Sequence, residues 1–235
     1  MIYKRCNTVE QYEFVTKRES APMLKIVREI LQRARSYIRK YYSELDFEPK
    51  LIGSGKRHLI TRVKNGNRGY DFDFNLVIDP PGDNQKWNGK TVHNAFLEAI
   101  RFAVKGTDFN DPEESTSVFT IKWIDKKQSK VNCSCDLAIV YYDGPQNQHY
   151  LHYHKENGGF GFMTHTFRYD VDEVVDELLG ANPLTWNRIR DEYLNRKNKN
   201  KQNKRSFILF VEAVFCVYDQ MFESDEEDYD YDEED

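Results

Sequence analysis

Apolar residues recur with two different spacings along the chain, and the change from one to the other divides it into two parts. Up to about residue 169, short apolar strand-like runs alternate with helical patterns, which is typical of an α/β or α+β domain. From there on the spacing is helical, over residues 171–179, 184–194 and 206–222. The last of these segments is apolar on most sides, and we expect it to be deeply packed.

Individual helices and strands follow from the same spacings in the first part. Helices are predicted over residues 22–42 and 90–104, with a shorter one around residues 9–17. Strands are predicted over residues 47–52, 70–78, 118–124, 131–142 and 149–154. We therefore predict an α/β (α+β) core with a mixed sheet and N-terminal helices over residues 1–169. A helical subdomain over residues 170–222 is expected to share its core.

The charge of the chain is concentrated at its end. The net charge is −5, but ten of the last thirteen residues are acidic and none is basic, so the rest of the chain carries +5. Acids in such a run repel one another and bury almost nothing, and we expect residues 223–235 to be a disordered tail. The basic body suits a polyanionic ligand such as a nucleotide or RNA. The tail either only solubilises the chain or folds back over this basic body.

Apolar runs and cysteines bear on the compartment. No stretch of about 18 apolar residues is present, and the first residues lack the continuous apolar segment of a secretory signal. Four cysteines are too few for a disulfide scaffold in a chain of 235 residues. We therefore expect a cytoplasmic protein with reduced cysteines and no membrane association.

The strand predicted over residues 70–78 carries paired acids. Because side chains in a strand alternate between faces, Asp71 and Asp73 share one face, while Phe72 and Phe74 lie on the other. Two carboxylates side by side repel each other, and a bound divalent cation removes that cost. On its own, however, an Asp-x-Asp pattern is also typical of a solvated strand face.

A third acid stands on the strand predicted over residues 131–142. Asp136 lies within an apolar run and shares a face with Ser134. A lone acid in such a run needs a partner, and a metal shared with Asp71 and Asp73 would supply one. Three carboxylates on neighbouring strands can hold two Mg²⁺ ions about 4 Å apart, the arrangement used for in-line displacement at phosphorus.

A glycine-rich turn precedes these acids. Gly53, Ser54 and Gly55 follow a predicted strand, and two basic residues, Lys56 and Arg57, come next. Glycine lets a backbone approach an anion closely, and the N–H groups of a helix that begins here would point at phosphate. We therefore predict that this turn and its basic residues bind nucleotide phosphates, although the pattern is not a P-loop.

In this order, the motifs resemble those of the DNA-polymerase-β-like nucleotidyltransferase superfamily. Its members have a helix-initiating Gly-Ser, then Asp-x-Asp on a strand, then a third acid on a neighbouring strand, which here correspond to Gly53-Ser54, Asp71-Phe72-Asp73 and Asp136. The resemblance covers residues 45–140 by motif, and the C-terminal helices look like the helical subdomain of the family. It implies two Mg²⁺ ions, with Mn²⁺ as a substitute, and transfer of NMP from an NTP such as ATP with release of pyrophosphate.

The resemblance also implies roles for the acids. Asp71 and Asp73 would bind the ion on the triphosphate side, and both would join Asp136 at the ion that activates the acceptor hydroxyl. The acceptor does not follow, because the family modifies RNA, nucleotides, proteins and drugs. The basic body favours RNA or a nucleotide. Modification of a protein or small molecule and a non-catalytic nucleotide-binding module are the alternatives, and RNA maturation, a toxin and defence are open as biological roles.

Several other features have competing interpretations. Two cysteines and three histidines suggest a zinc site: Cys133, Cys135, His149, His152 and His154. The two cysteines fall on the apolar face of their strand, so we interpret them as core thiols. Residues 158–161 are interpreted as a mobile turn. The basic residues 62–69 are a predicted loop near the triphosphate, and residues 196–205 are a predicted loop that is either solvated or in contact with RNA.

Overall fold

The computed structural model describes residues 10–156, 158–166 and 171–222; the predicted acidic tail lies outside them. The strands are β1 (Tyr12–Phe14), β2 (Glu48–Ile52), β3 (Thr61–Val63), β4 (Tyr70–Val77), β5 (Glu113–Glu114), β6 (Phe119–Asp125), β7 (Lys130–Tyr142), β8 (Asn147–His154) and β9 (Gly159–Thr166). The helices are α1 (Lys17–Tyr41), α2 (Gly53–Arg57), α3 (Gly89–Val104), α4 (Val171–Ala181), α5 (Thr185–Asn198) and α6 (Ser206–Phe222).

The chain divides into two compact units. Of the described residues, 13–156 and 158–166 form the larger unit, which we call the sheet unit, and 10–12 and 171–222 form the helical unit. The division falls close to residue 169, where the spacing of apolar residues changes in the sequence. That the two parts share one core stays a prediction.

A seven-stranded mixed sheet organises the sheet unit. Its order is β2-β4-β7-β6-β5, and β8 pairs with β7 and with β9. The β4–β7 pair is parallel, whereas β2–β4, β6–β7, β7–β8 and β8–β9 are antiparallel. The predicted mixed α/β architecture is therefore confirmed. The parallel pair at the centre decides where the acids lie, because it fixes the register of β4 against β7.

One face of the sheet is apolar and forms the core. Phe72 and Phe74 of β4 are almost fully buried, as are Cys133 and Cys135 of β7. These side chains belong to one hydrophobic cluster with the buried residues of α1 and α3. Since alternate residues of a strand point to opposite faces, the acids of β4 and β7 are presented on the other side of the sheet.

Helix α1 begins earlier than its apolar spacing predicted. Its N-cap is Thr16, whose side chain accepts from the backbone N–H of Glu19, while the Glu19 carboxylate accepts from the backbone of Thr16. This capping box satisfies the first N–H groups, and the helix continues through Pro22. The predicted start at residue 22 is wrong for this reason. The short helix predicted around residues 9–17 is also wrong within the described residues, because β1 occupies its middle.

The predicted mobile turn at residues 158–161 is wrong as well, because it contains the start of a strand. β9 pairs with β8 over its whole length, from His154↔Gly159 to Asn147↔Thr166. The glycines hid the strand from sequence analysis, since they lower strand propensity. The basic segment 62–69 also begins in a strand, β3, where Arg62 forms ion pairs with Glu13 and Glu19.

The helical unit departs from expectation at two places. α5 runs to Asn198, so the first three residues of the predicted basic loop are helical, and Arg196 forms ion pairs with Glu192 and Glu212. α6 is less buried than its composition predicted: Phe207 is 54% exposed and Phe215 is 41% exposed. Among the described residues, no helix is long and apolar enough to cross a membrane.

Candidate metal and nucleotide site

The three predicted acids lie on two adjacent strands in matching register. Asp73 of β4 is the direct partner of Asp136 of β7, and Asp71 is the partner of Ser134. Partners on parallel strands point to the same face of a sheet, so all three carboxylates are presented on the face opposite the apolar core. The alternation within each strand predicted this shared face.

The acids are held where their charges disfavour one another. Burial, and then the charges of Asp136 and Asp71, raise the pKa of Asp73 to about 6. Burial is also the largest cause that raises the pKa of Asp136, with Asp71 adding to it and the hydrogen bond from Thr120 opposing it. Acids with raised pKa values in one cluster are typical of functional sites, because a fold does not need them for stability.

Two hydroxyl groups are hydrogen-bonded to these carboxylates. Thr120 of β6 is the register partner of Asp136, and its Oγ1 donates to Asp136 Oδ1 over 2.6 Å. The buried hydroxyl of Ser134 donates to Asp71 Oδ1. Each of these two acids therefore has one oxygen oriented by a neighbouring side chain.

The glycine-rich turn meets the acids directly. Ile52, the last residue of β2, pairs with Asp73, and α2 begins at the following residue, Gly53. Gly53 has φ +58°, and a Cβ on it would lie 3.0 Å from Asp73 Oδ2. Only glycine adopts this conformation readily and leaves the space beside the carboxylate open. The predicted phosphate-binding segment, Gly53 to Arg57, therefore begins next to the acids.

An ion pair borders the acids on the side of β6. Lys122 is the register partner of Ser134, and its Nζ lies 2.5 Å from Glu113 Oε2 on β5. Its positive charge lowers the pKa of Asp136. The acidic face thus has a cation beside its third acid.

The donor set fits a hard divalent cation. Carboxylate oxygens are the ligands that Mg²⁺ prefers, and a cation between Asp73 and Asp136 would offset the burial and the repulsion that raise the pKa of Asp73. In the part of the chain that the structure describes, no three His, Cys, Asp or Glu side chains are already arranged to hold a metal ion. Mg²⁺ centres at nucleotide sites commonly use one or two carboxylates together with waters and substrate phosphates, so a complete protein cage is not required.

Among the described residues, the cysteines and histidines of the zinc alternative do not form one metal-binding group. Cys133 and Cys135 are free and fully buried in the apolar cluster, and burial raises the pKa of the Cys133 thiol to about 12. His149 lies 2.7 Å from Asp143, and His152 is hydrogen-bonded to Ser117. The interpretation of the cysteines as core thiols is confirmed.

Sequence reasoning missed the hydroxyl of Thr120. The signal was present, since Thr120 and Lys122 alternate with the apolar residues of their predicted strand and so share a face. What the sequence did not contain was the register of β6 against β7, which brings Thr120 opposite Asp136.

Solved structures of other proteins share the fold of this chain. No family model matches the chain, and no curated protein matches it. Among solved structures, a mutant of the Vibrio cholerae di-nucleotide cyclase DncV in complex with ATP and GTP aligns with a TM-score of 0.61 at 10% identity, covering 87% of this chain and 70% of that one. The cyclic AMP-GMP synthase DncV with a linear intermediate gives a TM-score of 0.59 at 10% identity, covering 87% and 69%.

A second bacterial enzyme gives the same result. Bradyrhizobium diazoefficiens CdnG in complex with GTP aligns with a TM-score of 0.50 at 13% identity, covering 83% of this chain and 66% of that one. The chain therefore has the same fold as these solved structures, and the fold that the motif resemblance implied is confirmed.

Proposed function

We propose that the protein transfers a nucleoside monophosphate from an NTP to an acceptor hydroxyl and releases pyrophosphate. The observation that carries this proposal is the register of β4 against β7, which presents Asp71, Asp73 and Asp136 on one face, beside the glycine that begins α2. Three carboxylates so placed, in a nucleotidyltransferase fold, suit nucleotidyl transfer supported by divalent ions. We propose Mg²⁺ in two positions, with Mn²⁺ as a substitute.

Each element of the site has a role in this reaction. Bound divalent ions would neutralise the triphosphate and lower the pKa of the attacking hydroxyl. Asp71 and Asp73 would hold the triphosphate side, while Asp136 stands nearest the acceptor and takes its proton. The acceptor oxygen forms a bond to the α-phosphorus as the bond to the β-phosphate oxygen breaks, and pyrophosphate leaves with that electron pair.

The turn at the start of α2 would orient the triphosphate. The backbone N–H groups near Gly53 and the hydroxyl of Ser54 are donors of the kind that bind phosphate oxygens, and Lys56 and Arg57 bring positive charge to the same short helix. The open space beside Asp73 that the missing Gly53 side chain provides is where a triphosphate could approach the acids.

For the acceptor we propose a second nucleotide, with RNA as the other member of the same chemical class. The chain without its acidic tail carries +5, which favours a polyanionic acceptor over a neutral one. DncV, a similar fold, is described as a cyclic AMP-GMP synthase and was crystallised with a linear intermediate. A dinucleotide product is therefore the first to look for, and the protein or small-molecule acceptor is an outcome of the same test.

The non-catalytic alternative makes an opposite prediction about the acids. A module that only binds nucleotide has no need of three carboxylates on one face of the sheet, and would tolerate the loss of one. Here all three are retained on the common face. We therefore prefer the enzyme.

The experiment is incubation of the protein with each α-³²P-labelled NTP, singly and in pairs, with Mg²⁺ or Mn²⁺ and with or without total RNA. A new small labelled product supports a nucleotide acceptor, labelled RNA supports an RNA acceptor, and labelled protein supports protein modification. Pyrophosphate should appear in step with the label, and the Asp73→Asn variant is the control. Absence of both label transfer and pyrophosphate from the folded wild-type protein under every condition would refute the proposal.

A further inference from the structure

The acidic face of the sheet is organised in two rows that run across the strands. One row joins Asp73, Asp136 and Thr120 on β4, β7 and β6. The other joins Asp71, Ser134 and Lys122 on the same three strands. In each row a hydroxyl side chain lies in register with an acid of the neighbouring strand.

We propose that Thr120 and Ser134 are positioning residues for the metal-binding carboxylates, an inference that rests on the metal site of the proposed function. Each hydroxyl fixes one oxygen of its acid, Oδ1, and so sets the direction in which the other oxygen, Oδ2, meets a cation. The two residues act through Asp136 and Asp71 and do not themselves touch substrate.

Thr120 is suited to this role by its backbone and its side chain. Its register with Asp136 is set by the β6–β7 ladder, and its Oγ1 lies 2.6 Å from Asp136 Oδ1, a short distance of the kind found for charge-assisted hydrogen bonds. A β-branched side chain in a strand has few χ1 states, so the hydroxyl direction is largely fixed before a metal arrives. The strand therefore orients the carboxylate at little entropic cost.

Ser134 acts from within the strand that carries the third acid. It is 8% exposed and is a direct partner of Asp71 across the parallel pair. Asp71 is exposed, so its carboxylate would otherwise be free to turn into solvent. A buried hydroxyl needs a hydrogen-bond partner, and Asp71 Oδ1 supplies it, so the bond serves both groups.

Such partners matter because the acids repel one another. In the metal-free protein the charges of Asp71 and Asp136 act on Asp73, and unrestrained carboxylates would rotate apart. The two hydroxyl groups hold the outer acids while leaving Asp73 between them. Side chains that orient metal ligands typically change metal affinity or activity about 10- to 100-fold when removed.

The test measures Mn²⁺ binding by electron paramagnetic resonance, in the presence and absence of a non-hydrolysable ATP analogue. The variants are Thr120→Val, which keeps the shape and removes the hydroxyl, Thr120→Ser, which restores it, and Ser134→Ala. Thr166→Val, at the exposed end of β9, is the matched control. We expect the Mn²⁺ dissociation constant to rise about tenfold or more in Thr120→Val and Ser134→Ala, and to return to within about threefold of wild type in Thr120→Ser.

A merely structural role gives a different result. It would lower the thermal midpoint of the metal-free variants without changing their Mn²⁺ affinity. Thr120→Ser would then bind Mn²⁺ no more tightly than Thr120→Val. Unchanged affinity in both Thr120→Val and Ser134→Ala would overturn the inference, as would a wild-type protein that binds no Mn²⁺ with the nucleotide present. If Ser134→Ala does not fold, the Val and Ser variants of Thr120 decide.

The inference and the proposed function fail separately. Loss of Mn²⁺ affinity in the variants of a wild-type protein that transfers no label would leave the positioning role standing and refute the nucleotidyl transfer. Label transfer by wild type together with unchanged Mn²⁺ affinity in the variants would refute only the positioning role.

Discussion

Asp73 of β4 lies directly opposite Asp136 of β7 across the parallel strand pair at the centre of the sheet. Both carboxylates are partly buried, and the charge of Asp136 contributes to the raised pKa of Asp73, about 6. A fold gains nothing from this repulsion unless a cation binds between the two groups. The pair therefore links the stability of the metal-free protein to the chemistry of the site.

Asp73→Asn should abolish nucleotidyl transfer and yet stabilise the metal-free protein. The amide keeps the size of the side chain but removes the charge that a cation would bind, along with the repulsion. The raised pKa corresponds to a gain of roughly 1 to 3 kcal/mol in the free energy of unfolding above pH 7. Urea unfolding in EDTA measures the gain in stability, and pyrophosphate release with Mg²⁺ measures the loss of nucleotidyl transfer. Full turnover in the variant would contradict the catalytic role of Asp73.

The stability of the metal-free protein should depend on pH through Asp73. Its pKa is about 6 in the folded protein against 3.8 for the ordinary carboxyl, so between about pH 4 and about pH 6 the folded state binds more protons there. The contribution of Asp73 to the free energy of unfolding therefore falls as pH rises through this window and stays low above it. The difference between wild type and Asp73→Asn should grow from pH 4 to 6 and then level off. A constant difference would contradict the shifted pKa.

Gly53→Ala should weaken nucleotide binding as well as lower the stability of the protein. At φ +58° an alanine costs about 1 kcal/mol, and its methyl group would come within 3.0 Å of Asp73 Oδ2 and displace that carboxylate. Gly106→Ala is the control, because it has the same kind of backbone strain at φ +76° with nothing within 4 Å. We expect similar losses of stability in the two variants, and a raised KM for NTP in Gly53→Ala alone. Equal KM values would show that the space beside Asp73 is not used.

Asp46→Asn should lower stability and leave the chemistry intact. Asp46 accepts paired hydrogen bonds from Arg35 and from Arg39 of α1. The bonds from Arg35, and after them those from Arg39, hold the pKa of the Asp46 carboxyl well below its usual range. The group is partly exposed, so we expect a loss of only about 1 kcal/mol at neutral pH, shrinking as pH falls and the carboxyl is protonated. Glu29→Gln, at an exposed pair on the same helix, is the control and should change nothing measurable. A large loss of kcat in Asp46→Asn would contradict its purely structural role.

The sequence predicted the acidic face because strand alternation is a local property. Asp71, Asp73 and Asp136 could be assigned to one side of their strands without knowledge of any neighbour. Register is not local: only the pairing of β6 with β7 brings Thr120 to Asp136. That is why the acids were predicted and the hydroxyl partner of Asp136 was not.

A helix end and a glycine-rich strand also show the difference between what a local pattern predicts and what hydrogen bonding decides. Apolar spacing alone places the start of α1 too late, whereas the sequence Thr16-x-x-Glu19 contains the capping signal that marks its true start. β9 was missed because its glycines suit a turn, and only the ladder with β8 makes it a strand. In both cases hydrogen bonding decided the structure of the segment.

We propose that Asp71, Asp73 and Asp136 form one metal centre for nucleotidyl transfer. Crystals of the protein grown with Mn²⁺ and a non-hydrolysable ATP analogue can be measured at the manganese absorption edge. We expect anomalous peaks between β4 and β7, within about 2.0 to 2.4 Å of oxygens of all three carboxylates and of the triphosphate. Manganese bound elsewhere, or a nucleotide bound with Asp136 turned away from Asp71 and Asp73, would contradict it.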